Sequence, residues 1–372
     1  MRIAINARFL IRNQLEGIGW YSAEVLRRIV QLMPEHQFLF LFDRPYSEEF
    51  IYGENVEAKV VFPPARHAVL WYLWYEKRIP KILKEWKADL FFSPDGYCSL
   101  STDVPQYLVM HDLAYLHYPE HITLAARKYL MHFVPKYIRK AKHIFAVSKA
   151  TKLDILQHYP IEEGKVSVAY NGCKSYFKPL SEKEKEEIRK EYSEGREYFL
   201  FVGALHPRKN VANLIYAFTS YKQKRPSQKK LLIVGRKAWN TEDIDLAYQR
   251  SDSKKDIHFI PYVDSQVLAK ITGSAYCAVC PSFLEGFGVP ALEALYCDIP
   301  LIVSERFSLP EVAGPGSLKV NPNSIDSIAE AILQMDLDQN IIDRIKLGQT
   351  HRAQFNWDQT AKKIVDIFYT AQ

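Results

Sequence analysis

The chain has few cysteines and no long apolar run. Its 372 residues include five cysteines, which do not make a disulfide framework in so long a chain, and we expect a reducing compartment. No stretch approaches about 18 consecutive apolar residues, which excludes a bilayer-spanning helix. The N-terminus also lacks the pattern of a signal peptide. A cytoplasmic location is therefore expected.

The net charge of the chain is also small. The sequence has 49 Lys and Arg against 43 Asp and Glu, a net charge of +6. This excess is too weak to indicate nucleic acid as a partner, but it fits an anionic ligand or an anionic membrane surface. Hydrophobic residues (48%) and charged residues (25%) stand at ordinary globular levels, which excludes disordered and collagen-like chains.

Short apolar runs alternate with helical periods along the chain, which is typical of parallel α/β layers. The runs predict seven strands in the first half and six in the second. One of them contains Cys277 and Cys280, whose C-x-x-C spacing we interpret as part of a buried strand. Between the two sets of strands, Ser181–Glu197 is almost wholly charged and polar. It indicates a solvated helix at a domain boundary or, alternatively, a surface helix within one domain.

Two glycines follow the first predicted strand, where a helix begins. Gly17 and Gly19 would let the backbone approach a ligand closely, and the helix N-terminus would offer free N–H groups to a phosphate. The third glycine of G-x-G-x-x-G is missing, so a plain tight turn is the alternative.

A pair of cations follows the first predicted strand of the second half. Arg208 and Lys209 lie in a short loop between that strand and a helix that begins near Asn210. An arginine can grip a phosphate with two donors, and a lysine adds a compact charge. The sequence therefore predicts a phosphate site here, with a solvated pair of surface charges as the alternative.

Two glutamates flank a glycine-rich turn after a later strand. Glu285 precedes Gly286 and Gly288, and Glu293 lies about one turn into the helix that follows. Both carboxylates could face a ligand at that helix N-terminus. A surface glutamate and an unrelated helix glutamate are the alternative.

Two further motifs have open interpretations. His111 follows an apolar run at a predicted strand end, and is either a ligand-facing or a satisfied interior histidine. Asp243 and Asp245 form a D-x-D, but they lie where a helix is predicted to start, a position that favours acids without any metal.

Taken together, these motifs resemble those of the family four glycosyltransferases. The resemblance runs over nearly the whole chain, and the Glu285-x7-Glu293 spacing is its most specific part. It implies the GT-B fold, an α/β architecture of two Rossmann-like domains facing across a cleft. Residues 1–176 would form the acceptor-side domain, 177–355 the nucleotide-sugar domain, and 356–372 a C-terminal helix crossing back to the first domain.

The resemblance also implies roles in the second domain. Arg208 and Lys209 would bind the donor diphosphate, Glu285 the hydroxyls of the donor sugar, and Glu293 the ribose hydroxyls. The backbone of three consecutive residues would lie near sugar and phosphate: Phe287, Gly288 and Val289.

In the first domain, the resemblance places Gly17 and Gly19 against the diphosphate and lets His111 reach the donor sugar. One departure from the family pattern is Asp298, which stands where glycine is usual; an aspartate tolerates a positive φ there.

The function implied is a retaining transfer of a hexose from a nucleotide diphosphate sugar to a glycan or lipid-linked acceptor in surface polysaccharide synthesis. We predict mannose as the hexose. The donor would be GDP- or UDP-linked, and no cofactor or metal is expected. The basic, aromatic segment Trp71–Lys87 would either lie on the inner face of the membrane or pack its aromatics inward. A sugar phosphorylase, a sucrose-type synthase and a non-catalytic sugar-nucleotide-binding module are the alternatives.

Overall fold

The structure, a computed structural model, describes residues 1–237 and 241–370. Its contacts divide the chain into two compact units, Met1–Asn171 with Asn356–Gln372, and Gly172–Phe355. The last two residues of the predicted C-terminal helix segment, 371 and 372, lie outside the described part, as does Asn240 just before the D-x-D.

The first unit is built on a parallel sheet of seven strands in the order β3-β2-β1-β4-β5-β6-β7. The strands are β1 (Arg2–Asn6), β2 (Gln37–Phe42), β3 (Val56–Val60), β4 (Leu90–Ser93), β5 (Gln106–Met110), β6 (His143–Ala146) and β7 (Val166–Val168). The helices are α1 (Gly17–Leu32), α2 (Ala68–Leu73), α3 (Ile79–Glu85), α4 (Ala114–His117), α5 (Leu124–Lys140), α6 (Lys149–His158) and the C-terminal α15 (Trp357–Thr370).

The second unit is built on a parallel sheet of six strands in the order β10-β9-β8-β11-β12-β13. The strands are β8 (Tyr198–Val202), β9 (Lys230–Val234), β10 (Ile257–Ile260), β11 (Cys277–Cys280), β12 (Leu301–Ser304) and β13 (Leu318–Val320). The helices are α7 (Glu182–Ser193), α8 (Val211–Lys224), α9 (Glu242–Arg250), α10 (Ser265–Gly273), α11 (Val289–Tyr296), α12 (Leu309–Ala313), α13 (Ile325–Leu337) and α14 (Ile341–Arg352).

Both sheets reverse their strand order at the same place. In the first unit the reversal lies between β1 and β4, and in the second between β8 and β11. Ligands of open α/β sheets bind outside the carboxyl ends of the strands at such a point. The loops that follow these four strands are therefore where a site is expected in each unit, and they carry several of the predicted residues.

The C-terminal helix α15 belongs to the first unit. Trp357 meets the ring of Tyr21 on α1 edge to face at 5.6 Å, and Phe368 packs against Phe92 and Tyr107 of the sheet. The Thr360 hydroxyl donates to the Tyr170 carbonyl at 2.6 Å. The chain thus returns to its first sheet after completing the second.

The helical period of residues 69–85 predicts one continuous helix, which is wrong in one respect, because a π-helical turn at Trp74–Arg78 separates α2 from α3. Pro80 has no N–H and its ring clashes with the carbonyl four residues earlier, which favours widening of the preceding turn. Within the residues that the structure describes, every helix is too short or too polar to cross a bilayer.

Candidate active site

In the second unit, the loops after β8 and β11 are joined at the sheet's reversal point. The Arg208 carbonyl accepts from the Phe283 N–H at 2.9 Å, and the Asn210 side-chain amide donates to the Pro281 carbonyl at 3.0 Å. Asn210 has a φ of 62° and starts α8, so its side chain holds the two loops while its backbone turns. These contacts place the two predicted motifs side by side.

An ion pair links the motifs directly. Lys209 Nζ lies 2.6 Å from Glu285 Oε1, and the side chains are only 17% and 13% exposed. The Ser282 hydroxyl donates to the same oxygen at 2.7 Å. Burial would raise the pKa of Glu285, but the charges of Lys209 and Arg208 and these hydrogen bonds outweigh it and lower the pKa below its ordinary value. Glu285 is therefore ionised at neutral pH.

The second oxygen of this carboxylate is available to a ligand. Among the described residues, none donates a hydrogen bond to Glu285 Oε2. The backbone carbonyl of Glu285 accepts from Ser308 at 2.7 Å, which fixes the turn. An ionised, anchored carboxylate with one unused oxygen can accept from the hydroxyl of a sugar.

Glu293 has a different environment from Glu285. It is 7% exposed on α11, and burial raises its pKa to about 7, against the opposing charge of Lys174. No described residue hydrogen-bonds its carboxylate. Burial raises the thiol pKa values of Cys173 and Cys297, and the nearby charge of Glu293 raises them further. A buried carboxylate without partners is costly unless a ligand supplies donors.

The glycine-rich turn needs Gly288 for structural reasons. Its φ is +95°, and a Cβ there would lie 2.7 Å from Leu309 Cδ2. Gly288 precedes α11, whose first residue is Val289 and whose first turn holds Pro290, a position that suits proline. The Phe287 ring is buried edge to face against Phe355 at 5.6 Å, so only the backbone of Phe287 can meet a ligand.

In the first unit, the two predicted glycines have different surroundings. A Cβ on Gly19 would lie 2.8 Å from the Phe9 carbonyl and 3.0 Å from the Leu15 side chain, so packing alone requires glycine there. A Cβ on Gly17 would meet nothing within 4 Å. Space beside Gly17 is what a ligand against the start of α1 would need.

His111 lies at the carboxyl end of β5 and is half-buried. Its Nε2 lies 2.8 Å from the Pro94 carbonyl, and its ring meets Tyr21 edge to face. Burial lowers its pKa, so the ring is neutral at pH 7, with the Nε2 proton donated to Pro94. His111 thus resembles a satisfied interior histidine at Nε2, which has its hydrogen-bond partner in Pro94. Its Nδ1 is left as an acceptor for a ligand hydroxyl.

Sequence reasoning missed a buried polar network at the reversal point of the first sheet. Arg8, two residues after β1, pairs with Asp95, two residues after β4, at 2.5 Å. Asp95 also accepts from Ser93 at 2.8 Å and Tyr75 at 3.2 Å. The usable signal was an Arg and an Asp at the carboxyl ends of the strands that flank the reversal. A buried pair with these extra hydrogen bonds fixes the two loops relative to each other.

Several other predictions can be checked locally. Cys277 and Cys280 lie in the buried strand β11 as predicted, and Asp298 adopts the expected positive φ, 58°. Asp243 and Asp245 lie in the first turn of α9, where the Lys237 ammonium lies 2.7 Å from Asp245. Ser181 caps the polar helix α7 within the second unit.

The basic, aromatic segment after residue 70 packs most of its aromatics inward. Trp74 and Tyr75 are fully buried, and the half-buried Trp71 donates its indole N–H to the Ala65 carbonyl at 2.9 Å. Tyr72 is the exposed aromatic of this stretch, at 41%, and it lies near Phe133 of α5.

Two family models match this chain. "Glycosyltransferase Family 4" matches residues 16–174, and "Glycosyl transferases group 1" matches residues 182–354. The matches fall on the two units in turn and together span most of the chain.

Relatives and solved structures agree with the models. The chain is 24% identical to the O-antigen chain mannosyltransferase B of Escherichia coli, over 96% of this chain and 97% of that protein. It is 28% identical to the O-antigen chain mannosyltransferase RfbU of Salmonella typhimurium, over 70% and 68%. The crystal structure of Anabaena Alr3699/HepE in complex with UDP and glucose superposes with a TM-score of 0.77 at 16% identity, covering 100% of both chains. The chain therefore belongs to the family four glycosyltransferases of the GT-B fold.

Proposed function

We propose that this glycosyltransferase moves a hexose, mannose in our assignment, from a GDP- or UDP-linked sugar to a glycan or lipid-linked acceptor in surface polysaccharide synthesis. The names of two relatives as O-antigen mannosyltransferases support the sugar and the acceptor class. The UDP and glucose in the Anabaena structure support a nucleotide sugar as donor.

The observation that carries the proposal is the Lys209–Glu285 pair at the reversal point of the second sheet. As the glycosidic bond loosens, negative charge grows on the leaving diphosphate. Lys209 and Arg208 lie in a loop tied to the Glu285 loop, so the cations that stabilise this charge stand beside the carboxylate that orients the sugar. The cations supply this stabilisation themselves, and we propose that transfer needs no metal.

Glu293 is proposed to bind the ribose of the donor. Its carboxylate is buried without a hydrogen-bond donor from the described chain, and two adjacent ribose hydroxyls would supply donors. Ligand binding would then lower its pKa, because the hydroxyls stabilise the charged form.

We propose that the sugar is transferred with retention and without a carboxylate nucleophile. Glu285 is ionised but held by Lys209 and Ser282, as a group that positions hydroxyls rather than a nucleophile. We propose front-face attack, in which the acceptor oxygen forms the new bond on the side from which the diphosphate leaves. A phosphate oxygen of the leaving group takes the acceptor proton. Gly17, Gly19 and His111 would contribute from the first unit, with His111 Nδ1 accepting from a sugar hydroxyl.

A panel of nucleotide sugars tests this function. Binding to the folded state raises the melting temperature with ligand concentration. GDP-mannose should raise it more than UDP-glucose, GDP-glucose or UDP-galactose, and mannose transfer should follow the same order. A chain that none of these donors stabilises, and that turns over none of them, would contradict the proposal.

We also propose that the first unit touches an anionic membrane surface through α2 and α5. Large apolar side chains are exposed on these helices: Val69, Tyr72, Leu73, Leu124 and Met131. The sequence of α5 carries Arg127, Lys128, Lys136, Arg139 and Lys140 and no acid. Exposed apolar groups beside basic ones suit the inner leaflet, where apolar insertion and attraction to anionic lipids act together.

Sedimentation with vesicles tests this contact. Wild-type protein should sediment with vesicles that contain phosphatidylglycerol and much less with phosphatidylcholine alone. Leu73→Glu with Met131→Glu should lose sedimentation, whereas Leu337→Glu, at a side chain 52% exposed in the second unit, should not. Equal sedimentation of all three proteins would show that α2 and α5 are not the contact.

A further inference from the structure

Three metal-ligating side chains meet in the first unit, in a cluster that the transfer chemistry does not use. His117 ends α4, and Asp154 and His158 lie four residues apart on one face of α6. His117 Nε2 lies 2.9 Å from both Asp154 oxygens, and His158 Nδ1 lies 3.1 Å from Asp154 Oδ1. The three ligand atoms all lie within 4.8 Å of one another.

The charge and burial of the cluster suit a cation. The Asp154 side chain is 10% exposed, and within the described residues its carboxylate is paired only with the two imidazoles, never with Lys or Arg. His117 and His158 are 25% and 34% exposed, so one side of the cluster opens to solvent. His158 Nδ1 also donates to the Asp154 backbone carbonyl at 2.9 Å, so this nitrogen becomes a ligand only when a metal replaces its proton.

The distances are close to those of a zinc site. Zn²⁺ binds imidazole nitrogen and carboxylate oxygen at about 2.0–2.2 Å, which puts neighbouring ligand atoms about 3.3 Å apart in a tetrahedron. The two separations from Asp154, 2.9 and 3.1 Å, need to open by only a few tenths of an ångström, and the two imidazole nitrogens lie within 4.8 Å of each other, so the imidazoles must also draw together around an ion. Two imidazoles and one carboxylate leave a fourth position for water on the open side.

The surroundings hold the ligands in place. Behind Asp154, the Tyr115 and Tyr159 hydroxyls are hydrogen-bonded to each other, and the carboxylate charge reaches both. At the other end of α6, the Thr151 hydroxyl donates to the His111 carbonyl at 3.3 Å. A metal here would fasten α4, which begins three residues after His111, to the helix that supports His111.

We propose that His117, Asp154 and His158 bind one divalent transition-metal ion of the Zn²⁺ class, which ties α4 to α6 and stabilises the first unit. The ion stands apart from the diphosphate chemistry and takes no part in transfer. Metal ligation needs imidazole nitrogens and a carboxylate without their protons, so protons compete with the ion and the affinity should fall as the pH drops.

Calorimetric titration of ZnCl₂ into chelator-stripped, full-length protein tests the proposal. The wild type should bind one Zn²⁺ per chain, with a higher melting temperature when loaded. His158→Gln, at the most exposed of the three ligands, should fold normally and bind Zn²⁺ more than about 100-fold more weakly, beyond what loss of a residue that only supports a ligand costs. Asp154→Asn should lose the ion as well.

His132→Gln is the matched control, because His132 is an exposed histidine on α5 of the same unit. It should bind as the wild type does. Co²⁺ gives a second readout, since its visible absorption bands should appear in the wild type and in His132→Gln but not in His158→Gln. A wild type that binds no Zn²⁺, or a His158→Gln variant that binds it equally well, would overturn the proposal. Donor binding is measured in a separate titration, so the zinc proposal and the proposed transferase function can each be contradicted without the other.

Discussion

Lys209 has two tasks that a substitution can separate. It neutralises the buried Glu285, and it is proposed to stabilise the leaving diphosphate. Lys209→Ala should lower turnover by roughly 10²–10³-fold, the cost of losing one preorganised charge-stabilising donor. It should also lower the free energy of unfolding by roughly 1–3 kcal/mol, because the Glu285 carboxylate loses its cation. This is less than the cost for a wholly buried pair, since both side chains are partly exposed to solvent.

The double variant Lys209→Ala/Glu285→Gln is the control for this prediction. It should recover most of the melting temperature but none of the turnover, since the unpaired charge is gone and the diphosphate cation is still missing. Steady-state kinetics and thermal melting measure the two effects. If Lys209→Ala loses less than about threefold in turnover, the residue does not act on the transition state.

Glu293 should make stability depend on pH. In the unfolded chain it titrates near 4.5, and in the folded chain near 7. Between these values the folded state binds more protons, so the contribution of Glu293 to stability is present below about pH 4.5 and is lost as the pH rises to 7. Above that, the ionised form costs on the order of 3 kcal/mol.

Glu293→Gln removes this cost. At about pH 8 the variant without ligand should melt at or above the wild-type temperature, and the difference should shrink or reverse near pH 5. Melting curves across this range are the measurement. Parallel pH profiles for the two proteins would show that Glu293 is not a buried, partner-free carboxylate.

For single residues, the sequence predicted where a side chain lies in the fold better than which other side chain it pairs with. Arg208, Lys209 and Glu285 could be placed because each follows a predicted strand, and carboxyl ends of parallel strands share one edge of a sheet. The Arg8–Asp95 pair was missed although both residues follow strands, because 87 residues separate the partners and Pro94-Asp95-Gly96 has the composition of an ordinary turn. The raised pKa of Glu293 depends on burial, which its spacing from Glu285 does not show.

Two helix starts, at α1 and α11, offer a test of what their glycines do. Gly288→Ala should destabilise the protein by about 1–3 kcal/mol, since it combines a positive φ with a contact of 2.7 Å to Leu309. Gly17→Ala should leave the melting temperature unchanged or slightly higher, because its Cβ meets nothing within 4 Å and alanine favours helix.

If the donor diphosphate lies against the start of α1, Gly17→Ala should nevertheless weaken donor binding by about tenfold, the effect of one overpacked contact. Calorimetry with the donor and melting without it separate the two. Wild-type donor affinity in Gly17→Ala would mean that Gly17 only begins a helix.

Strands were easier to predict than the helix around Trp71. Most strands are apolar runs that the sheet buries, such as Gln106–Met110, whereas the edge strands β3 and β13 are only partly buried. The stretch Ala68–Glu85 has a continuous helical period, but Pro80 removes a donor and Trp74 and Tyr75 fill the core, so the chain forms a π-helical turn there. The spacing of apolar residues predicts that this stretch is helical, but it does not predict the π-helical turn within it.

For the molecule as a whole, removing metal with a chelator should affect the melting temperature and the transfer rate differently. Excess EDTA should leave the transfer rate unchanged at temperatures well below melting, because Arg208 and Lys209 supply the positive charge at the diphosphate. The same treatment should lower the melting temperature if the His117–Asp154–His158 cluster holds a metal. Transfer that stops with EDTA and resumes with Mn²⁺ or Mg²⁺ would contradict the metal-independent mechanism and direct attention to Asp243 and Asp245.

The common strand order of the two sheets explains why the fold could be predicted from the sequence. Each half repeats apolar runs and helices in one order, and right-handed crossovers then leave few arrangements of a parallel sheet. Donor and acceptor identity are set by a few side chains within this frame, which is why the pattern fixes the fold more closely than the substrate.

The central claim is that the reversal point of the second sheet binds a nucleotide sugar through two carboxylates with different tasks. Calorimetric titration of the nucleoside diphosphate into wild type, Glu285→Gln and Glu293→Gln tests it most directly. Glu293→Gln should bind about tenfold or more weakly, the cost of losing a charged acceptor for hydroxyl groups, while Glu285→Gln should stay within about threefold of wild type and lose turnover instead. Equal loss of diphosphate affinity in both variants, or wild-type affinity in both, would contradict the account.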